Sequence, residues 1–249
     1  KRIRDAEAVE LLQKQDAKIF IVAAFGQLLP KEVLDIPPLG CVNVHASLLP
    51  KYRGAAPIQW AVMNGEQVSG VTTMQMGVGL DDGDMLLKEE VVLREDETGG
   101  SLFDRLAEVG GALCVKTIEG LAEGSITPIP QDEAQATHVG MIKKSMGNLD
   151  FSRSAVELER LVRGLNPWPS AYTHLGNKTL KVWKARVDTD TKTEAQPGEV
   201  VSSDASGIAV ATGEGLLVME EIQLEGKKRM CVADFLRGRE IPVGTMLCD

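Results

Sequence analysis

The chain has 249 residues, 43% hydrophobic and 25% charged, with a formal net charge of −9. That is the composition of an ordinary globular protein with room for one or two cores. The charge is uneven, about −8 over residues 1–143 and −1 over 144–249, so a global basic footprint for nucleic acid is excluded and any such contact must be local. The longest strongly apolar run, Ile19–Phe25, is far short of a bilayer span, so no membrane partner is expected. Cys41, Cys114, Cys231 and Cys248 form no CxxC pair, which suits reduced thiols in a cytoplasmic protein. Three histidines, His45, His138 and His174, are little material for a metal site, and none is expected. The chain opens on KRIRDAEAVELL without Met, as if inside a domain, so a preceding segment is expected.

Residues 5–16 predict a helix capped by Asp5, with Ala8, Val9, Leu11 and Leu12 on its apolar side. KIFIVAAF is short, apolar and β-branched, the pattern of a parallel strand buried on both faces. GCVNVHA is the next strand, and Ala55–Asn64 a helix with Pro57 in its first turn. GVTTMQM alternates enough to be placed near a sheet edge, and DMLLKEEVVL follows as another strand. A helix starts at Thr98 or Ser101 and runs to about Gly124. Strands alternating with helices predict a mostly parallel, doubly wound α/β sheet, with ligands at the carboxyl ends of its strands.

Residues 125–143 are expected as a linker, because SITPIPQDEAQATHVG is Pro-rich, polar and without period. SAVELERLVRGLN is a helix capped by Ser152 or Ser154, stopped by the prolines of NPWPSAY, whose Trp168 is expected in a core. AYTHL, KTLKVWKARV, GEVVSS, GIAVAT and GLLVMEEIQL are short strands between turns, and VADFLRG is a closing helix. The reading is two domains: an α/β unit over 1–124, then a small antiparallel β-barrel or sandwich over 144–249.

The chemistry concentrates in residues 41–85. Asn43 and His45 are two apart on one strand and leave it on the same face. SLLPKYRG follows at once and presents Arg53 as an exposed cation. GLDDGD then supplies Asp81, Asp82 and Asp84 in a glycine-bracketed turn. Such a turn is by itself a solvated loop or a cation loop, but a hard cation wants more oxygen ligands than the stretch supplies. An amide, an imidazole and a carboxylate at one strand end suit acid–base chemistry on a carbonyl-type group.

NVHASLLPKYRGAAPIQWAVMNG, GVTTMQM and GLDDGDML together resemble the signature of the folate-dependent formyltransferases. RLVRGLNPWPSAYT and GKKRMCVADFLRGREIPVG resemble the start and end of the C-terminal domain found in the members that act on methionyl-tRNA. The resemblance implies a Rossmann-like catalytic domain, incomplete at its start, followed by an OB-like barrel that binds tRNA. It implies Asn43, His45 and Asp81 as the catalytic trio. It places tetrahydrofolate against Ser47, Leu48, Leu49 and Pro50, and against Phe25, Gly26 and Leu28. It implies 10-formyltetrahydrofolate as co-substrate, initiator methionyl-tRNA as acceptor, and a monomeric enzyme without metal. Read from the residues, Lys181, Lys227, Lys228 and Arg229, with Lys184, Arg237 and Arg239, are either a solvated basic face or sequence-independent tRNA phosphate contacts, and Arg53 meets the tRNA end, the formyl donor or neither. Two other readings stay open: a relative acting on another amine or on water, and a non-catalytic folate- or RNA-binding module.

Overall fold

The computed structural model describes residues 2–247; Cys248 therefore lies outside the described residues. The elements in chain order are α1 (Ala6–Gln13), β1 (Phe20–Val22), α2 (Lys31–Leu34), β2 (Cys41–His45), β3 (Arg53–Gly54), α3 (Pro57–Met63), β4 (Val68–Gln75), β5 (Met85–Val92) and α4 (Gly99–Glu123). They continue with β6 (His138–Val139), α5 (Ala155–Gly164), β7 (Ala171–Leu175), β8 (Lys178–Asp188), β9 (Val200–Asp204), β10 (Gly207–Ala211), β11 (Leu216–Leu224), β12 (Met230–Cys231) and α6 (Val232–Gly238). The chain divides into two units, one of Lys1–Trp60, Gln67–Arg94 and Ser101–Met141, the other of Ala61–Glu66, Glu95–Gly100 and Ile142–Asp249.

The first unit is a sheet in the order β1-β2-β4-β5. β1 runs parallel to β2, while β2–β4 and β4–β5 are antiparallel. The mostly parallel sheet expected from the sequence is thus a mixed one among the described strands. Loop 76–84 is too short for a crossover, so β5 must return antiparallel to β4. The helix-on-sheet layering remains Rossmann-like. Leu102, Leu106, Gly110, Leu113 and Thr117 form the buried stripe of α4, at the three-to-four spacing of a helix face. A Cβ at Gly110 would stand 3.1 Å from Val44 Cγ1, so the helix backbone itself presses on β2.

β4 is an interior strand, not an edge, and Ser69–Met74 are all buried. Its threonines misled because their hydroxyls are satisfied inside: Thr72 Oγ1 donates to Ser47 O at 2.7 Å, and Thr73 Oγ1 meets Thr117 Oγ1 at 2.8 Å. Among the described strands β1 is the end strand instead, paired with β2, and Ile21 is 41% exposed. α1 forms but is shorter than expected, and Asp5 stands at its N-cap position without capping it, because its carboxylate accepts the Arg2 N–H at 2.8 Å; Leu11 points outward while Val9 and Leu12 pack on the cluster of Leu29, Val33 and Cys41. Residues 125–143, expected as a linker, are hydrogen-bonded into the sheet region over much of their length. Ile129 exchanges both backbone bonds with Met85 at 2.8 Å, and β6 pairs with β3.

The second unit is an antiparallel sheet in the order β7-β8-β11-β10-β9, with β12 on β11. β7 and β9 are its two ends, and no ladder joins them among the described residues, so the expected barrel is not closed. α5 packs on β8 and β11 through Leu158, Leu161 and Val162. Its start is a reciprocal cap: Glu157 N–H donates to Ser154 Oγ at 3.3 Å, and Ser154 N–H to Glu157 Oε2 at 3.1 Å. Arg153 and Ser154 hold the Glu157 carboxyl at about 2, well below its usual value. Trp168 is 52% exposed rather than in a core.

Candidate active site

β2 delivers Asn43 and His45 to the middle of the first unit's sheet. Asn43 lies between Val22 on β1 and Met74 on β4. The loop after β1, with Phe25, Gly26 and Leu28, therefore leaves the sheet beside Asn43. The 76–84 turn folds back toward the same residue. It closes tightly at Gly83, where a Cβ would fall on the Gln75 carbonyl. This brings Asp81 to the strand at φ +52, a left-handed conformation that Asp tolerates better than most residues.

Asp81 Oδ2 accepts the Gly54 N–H at 2.8 Å, and Oδ1 accepts from Asn43 Nδ2 at 3.3 Å. His45 Nδ1 lies 3.7 Å from Asp81 Oδ2, and Nε2 lies 2.9 Å from the Tyr52 carbonyl. A carbonyl can only accept, so Nε2 carries a proton and Nδ1 is the nitrogen that faces the carboxylate. Both side chains are largely shielded, at 7% and 14% exposure. The amide is hydrogen-bonded to the carboxylate and the imidazole stands within ion-pair distance of it, with Asp81 selected from its neighbours. Asp82 and Asp84 are exposed, and Asp84 contributes its backbone carbonyl to Gln75 N at 2.8 Å.

The Ser47–Pro50 loop is built from beneath. Ser47 Oγ donates to Lys51 O at 2.7 Å, Thr72 Oγ1 accepts from Leu49 N at 3.1 Å, and Lys88 Nζ donates to Leu49 O. Burial depresses the Lys88 ammonium below its usual value, partly offset by Glu90. Ser47 and Leu49 are buried, Leu49 against Met74 and Met85, so their offer to a ligand is backbone and shape. Phe25 and Leu28, by contrast, are exposed apolar side chains, at 43% and 59%.

Arg53 is not the exposed cation expected. It is 3% exposed and bonded to Glu133 through both terminal nitrogens, at 3.1 and 2.7 Å, while its Nε donates to Gln131 Oε1 at 3.0 Å. Its charge is fully engaged there and is not presented to a phosphate. The same bond holds the Glu133 carboxyl below its usual range. Gln131 Nε2 in turn donates to the carbonyls of Asp81 and Gly83, both at 2.8 Å. The sequence reading missed Gln131. Its one signal was an amide among the polar residues of PQDEAQ, which period and composition cannot distinguish from Gln135 or its other neighbours.

In the second unit two of the remaining predicted cations meet at the Trp183 ring on β8. Lys181 Nζ lies 5.6 Å and Arg229 Cζ 4.9 Å from the Trp183 ring centre. Arg229 also pairs with Glu221, and Lys227 and Lys228 stand exposed on the turn before β12. Lys184 and Arg186 share Glu220, and Arg237 pairs with Asp234. Among the described residues no group of three His, Cys, Asp or Glu side chains is arranged to hold a metal ion, and no helix is long and apolar enough to cross a membrane.

The fold is that of the formyl transferases: residues 1–118 match the formyl transferase family and residues 141–240 match the formyl transferase C-terminal domain. A methionyl-tRNA formyltransferase of Lachnospira eligens is 55% identical over 99% of this chain and 79% of its own length. One from Agathobacter rectalis is 53% identical over 98% and 78%. The chain belongs to the methionyl-tRNA formyltransferase family. Among solved structures, HypX from Aquifex aeolicus in complex with tetrahydrofolic acid shares the fold, with a TM-score of 0.67 at 19% identity over 92% of this chain and 40% of its own.

Proposed function

We propose that this chain moves the formyl group of 10-formyltetrahydrofolate to the α-amino group of initiator methionyl-tRNA. The observation that carries the reading is the convergence of Asn43, His45 and Asp81 in one shielded constellation, in a chain 55% identical to a protein of that name. The folate supplies the formyl carbon and a nitrogen leaving group. Phe25 and Leu28 offer the flat apolar surface that a fused ring needs, and the hydrogen-bonded Ser47–Pro50 loop offers a rigid wall. Asn43 has a second amide hydrogen beyond the one on Asp81, and donates it to the oxygen that gains charge during transfer. As the amine nitrogen bonds to the formyl carbon, His45 and Asp81 take the proton it loses and relay it to the folate nitrogen, whose bond to that carbon breaks. Direct donation from His45 to that oxygen requires Nε2 to exchange the Tyr52 carbonyl for it.

The second unit is read as an OB-like partly open barrel whose Lys181, Lys227, Lys228 and Arg229 corner meets tRNA phosphates without reading sequence. Formylation of charged initiator tRNA by the purified protein tests the whole reading. Activity on a free amino sugar, and none on methionyl-tRNA, overturns it.

A further inference from the structure

We propose that Gln131 is a positioning residue for Asp81, and that segment 129–139 is the strap aligning both halves of the proton relay. The inference rests on Asp81 acting in the reaction as proposed above.

Asp81 occupies a backbone conformation that a non-glycine residue keeps only when its surroundings overdetermine it. Its carboxylate is aimed by the Cα–Cβ direction, which the turn backbone sets. Two carbonyls of that turn, Asp81 O and Gly83 O, both end on Gln131 Nε2 at 2.8 Å. One amide nitrogen has two hydrogens, so the pair uses it completely. A flipped amide would set an oxygen against two carbonyl oxygens and a donor against a guanidinium. Arg53 Nε on Gln131 Oε1 at 3.0 Å therefore fixes which way the amide faces. Arg53 is itself locked by its two bonds to Glu133. The order Glu133, Arg53, Gln131, Asp81 is an unbroken chain of polar contacts, and each member restricts the next.

The strap also reaches the imidazole. Tyr52 N–H donates to Thr137 Oγ1 at 2.8 Å and Arg53 N–H to Thr137 O at 2.8 Å. Those bonds hold the loop whose Tyr52 carbonyl faces His45 Nε2. The backbone of Asp81 and the orientation of His45 are thus registered against a single segment. Its main-chain anchors, the Ile129–Met85 exchange and the β6–β3 pairing, lie at its two ends.

The test is steady-state kinetics of the purified protein with Gln131→Ala and Gln131→Glu, beside Asp81→Asn and the double variants. Gln131→Glu keeps the volume and the acceptor for Arg53 but sets a charged oxygen against the two carbonyls, whereas Gln131→Ala removes the donor without that repulsion, so the two together separate clamping from charge. Expected is a fall in kcat of about 10²-fold in both Gln131 variants, the cost of a small misplacement, with KM for each substrate unchanged and both variants folded at the assay temperature by thermal melting. In the Asp81→Asn background either Gln131 change adds almost nothing, because the two act as a unit. Full activity of Gln131→Glu alongside inactive Asp81→Asn overturns the clamp and leaves the Asp81 assignment standing. Full activity of Asp81→Asn overturns that assignment, and the clamp with it. Losses that multiply in the double variants reduce Gln131 to a fold-stabilising residue.

Discussion

The acid–base constellation of the first unit and the basic corner of the second hold their charges in opposite ways. In the first, Asp81, His45 and the neighbouring Arg53 are buried or nearly so, and each is tied to backbone or to an amide that is itself tied. In the second, Lys227 and Lys228 are exposed, while Lys184, Arg186 and Arg229 lean on carboxylates of the adjacent strand, with half or more of the Lys184 and Arg186 side chains in solvent. A reaction that moves a proton needs fixed distances, and a contact that neutralises phosphates needs only charge in roughly the right place. The difference should therefore be visible in how each region responds to substitution.

The largest effect belongs to the constellation. His45→Ala should lower turnover by about 10²–10⁴-fold with methionyl-tRNA binding unchanged, as measured by single-turnover formylation and filter binding. Retained turnover would remove His45 from the relay. Next is the basic corner. Lys227→Ala with Lys228→Ala should weaken tRNA binding, and each removed charge should reduce the slope of log K against log salt by about 1. At saturating tRNA, kcat should stay at the wild-type level; a drop there would mean that the corner positions the acceptor as well as attracting it. The smallest effect separates charge from scaffold. Ser154→Ala removes the cap of α5, which packs behind β8 and β11, and should lower stability by about 1 kcal/mol in thermal or urea unfolding. If the corner works by charge alone, tRNA affinity will not follow.

The same cap makes a pH test. Glu157 is held at about 2 in the folded chain against a usual 4.5, so its partners favour the carboxylate. The stabilisation is complete above about 4.5 and disappears as pH falls toward about 2. In Glu157→Gln that segment of the stability curve should flatten, by a small amount since the pair is about half exposed. A further check concerns thiols. Burial pushes the Cys41 thiol up to about 11, so it should resist alkylation at pH 8 while exposed Cys231 reacts.

What the sequence disclosed follows from the physics of each signal. Asn43, His45 and the acidic turn could be read because a strand and a glycine bracket leave strong local marks, whereas the choice of Asp81 within that turn came only with the family resemblance. The cap of α5 and the strands β7 to β11 could be read because turn chemistry and alternation are local too. β4 was misplaced because a threonine satisfied by Ser47 O or Thr117 has the same symbol as one in water. Arg53 was misjudged because its partners, Gln131 and Glu133, are far away in the chain and appear only on folding. The antiparallel return of β5 was implicit in the length of loop 76–84, which the alternation of strands and helices outweighed.

The strap over 129–139 has a practical corollary for dissecting this protein. By the logic of periodicity, a fragment of the first unit would be cut where α4 stops, at Glu123. Such a truncated polypeptide would keep Asn43, His45 and Asp81, yet lack Gln131, Thr137 and the partner strand of β3. All three nominal active residues would be present and their alignment would be lost. A piece that keeps the strap must extend at least to Met141, and a library of C-terminal deletions should show formyl transfer chemistry failing in a step between those two endpoints rather than by gradual decline.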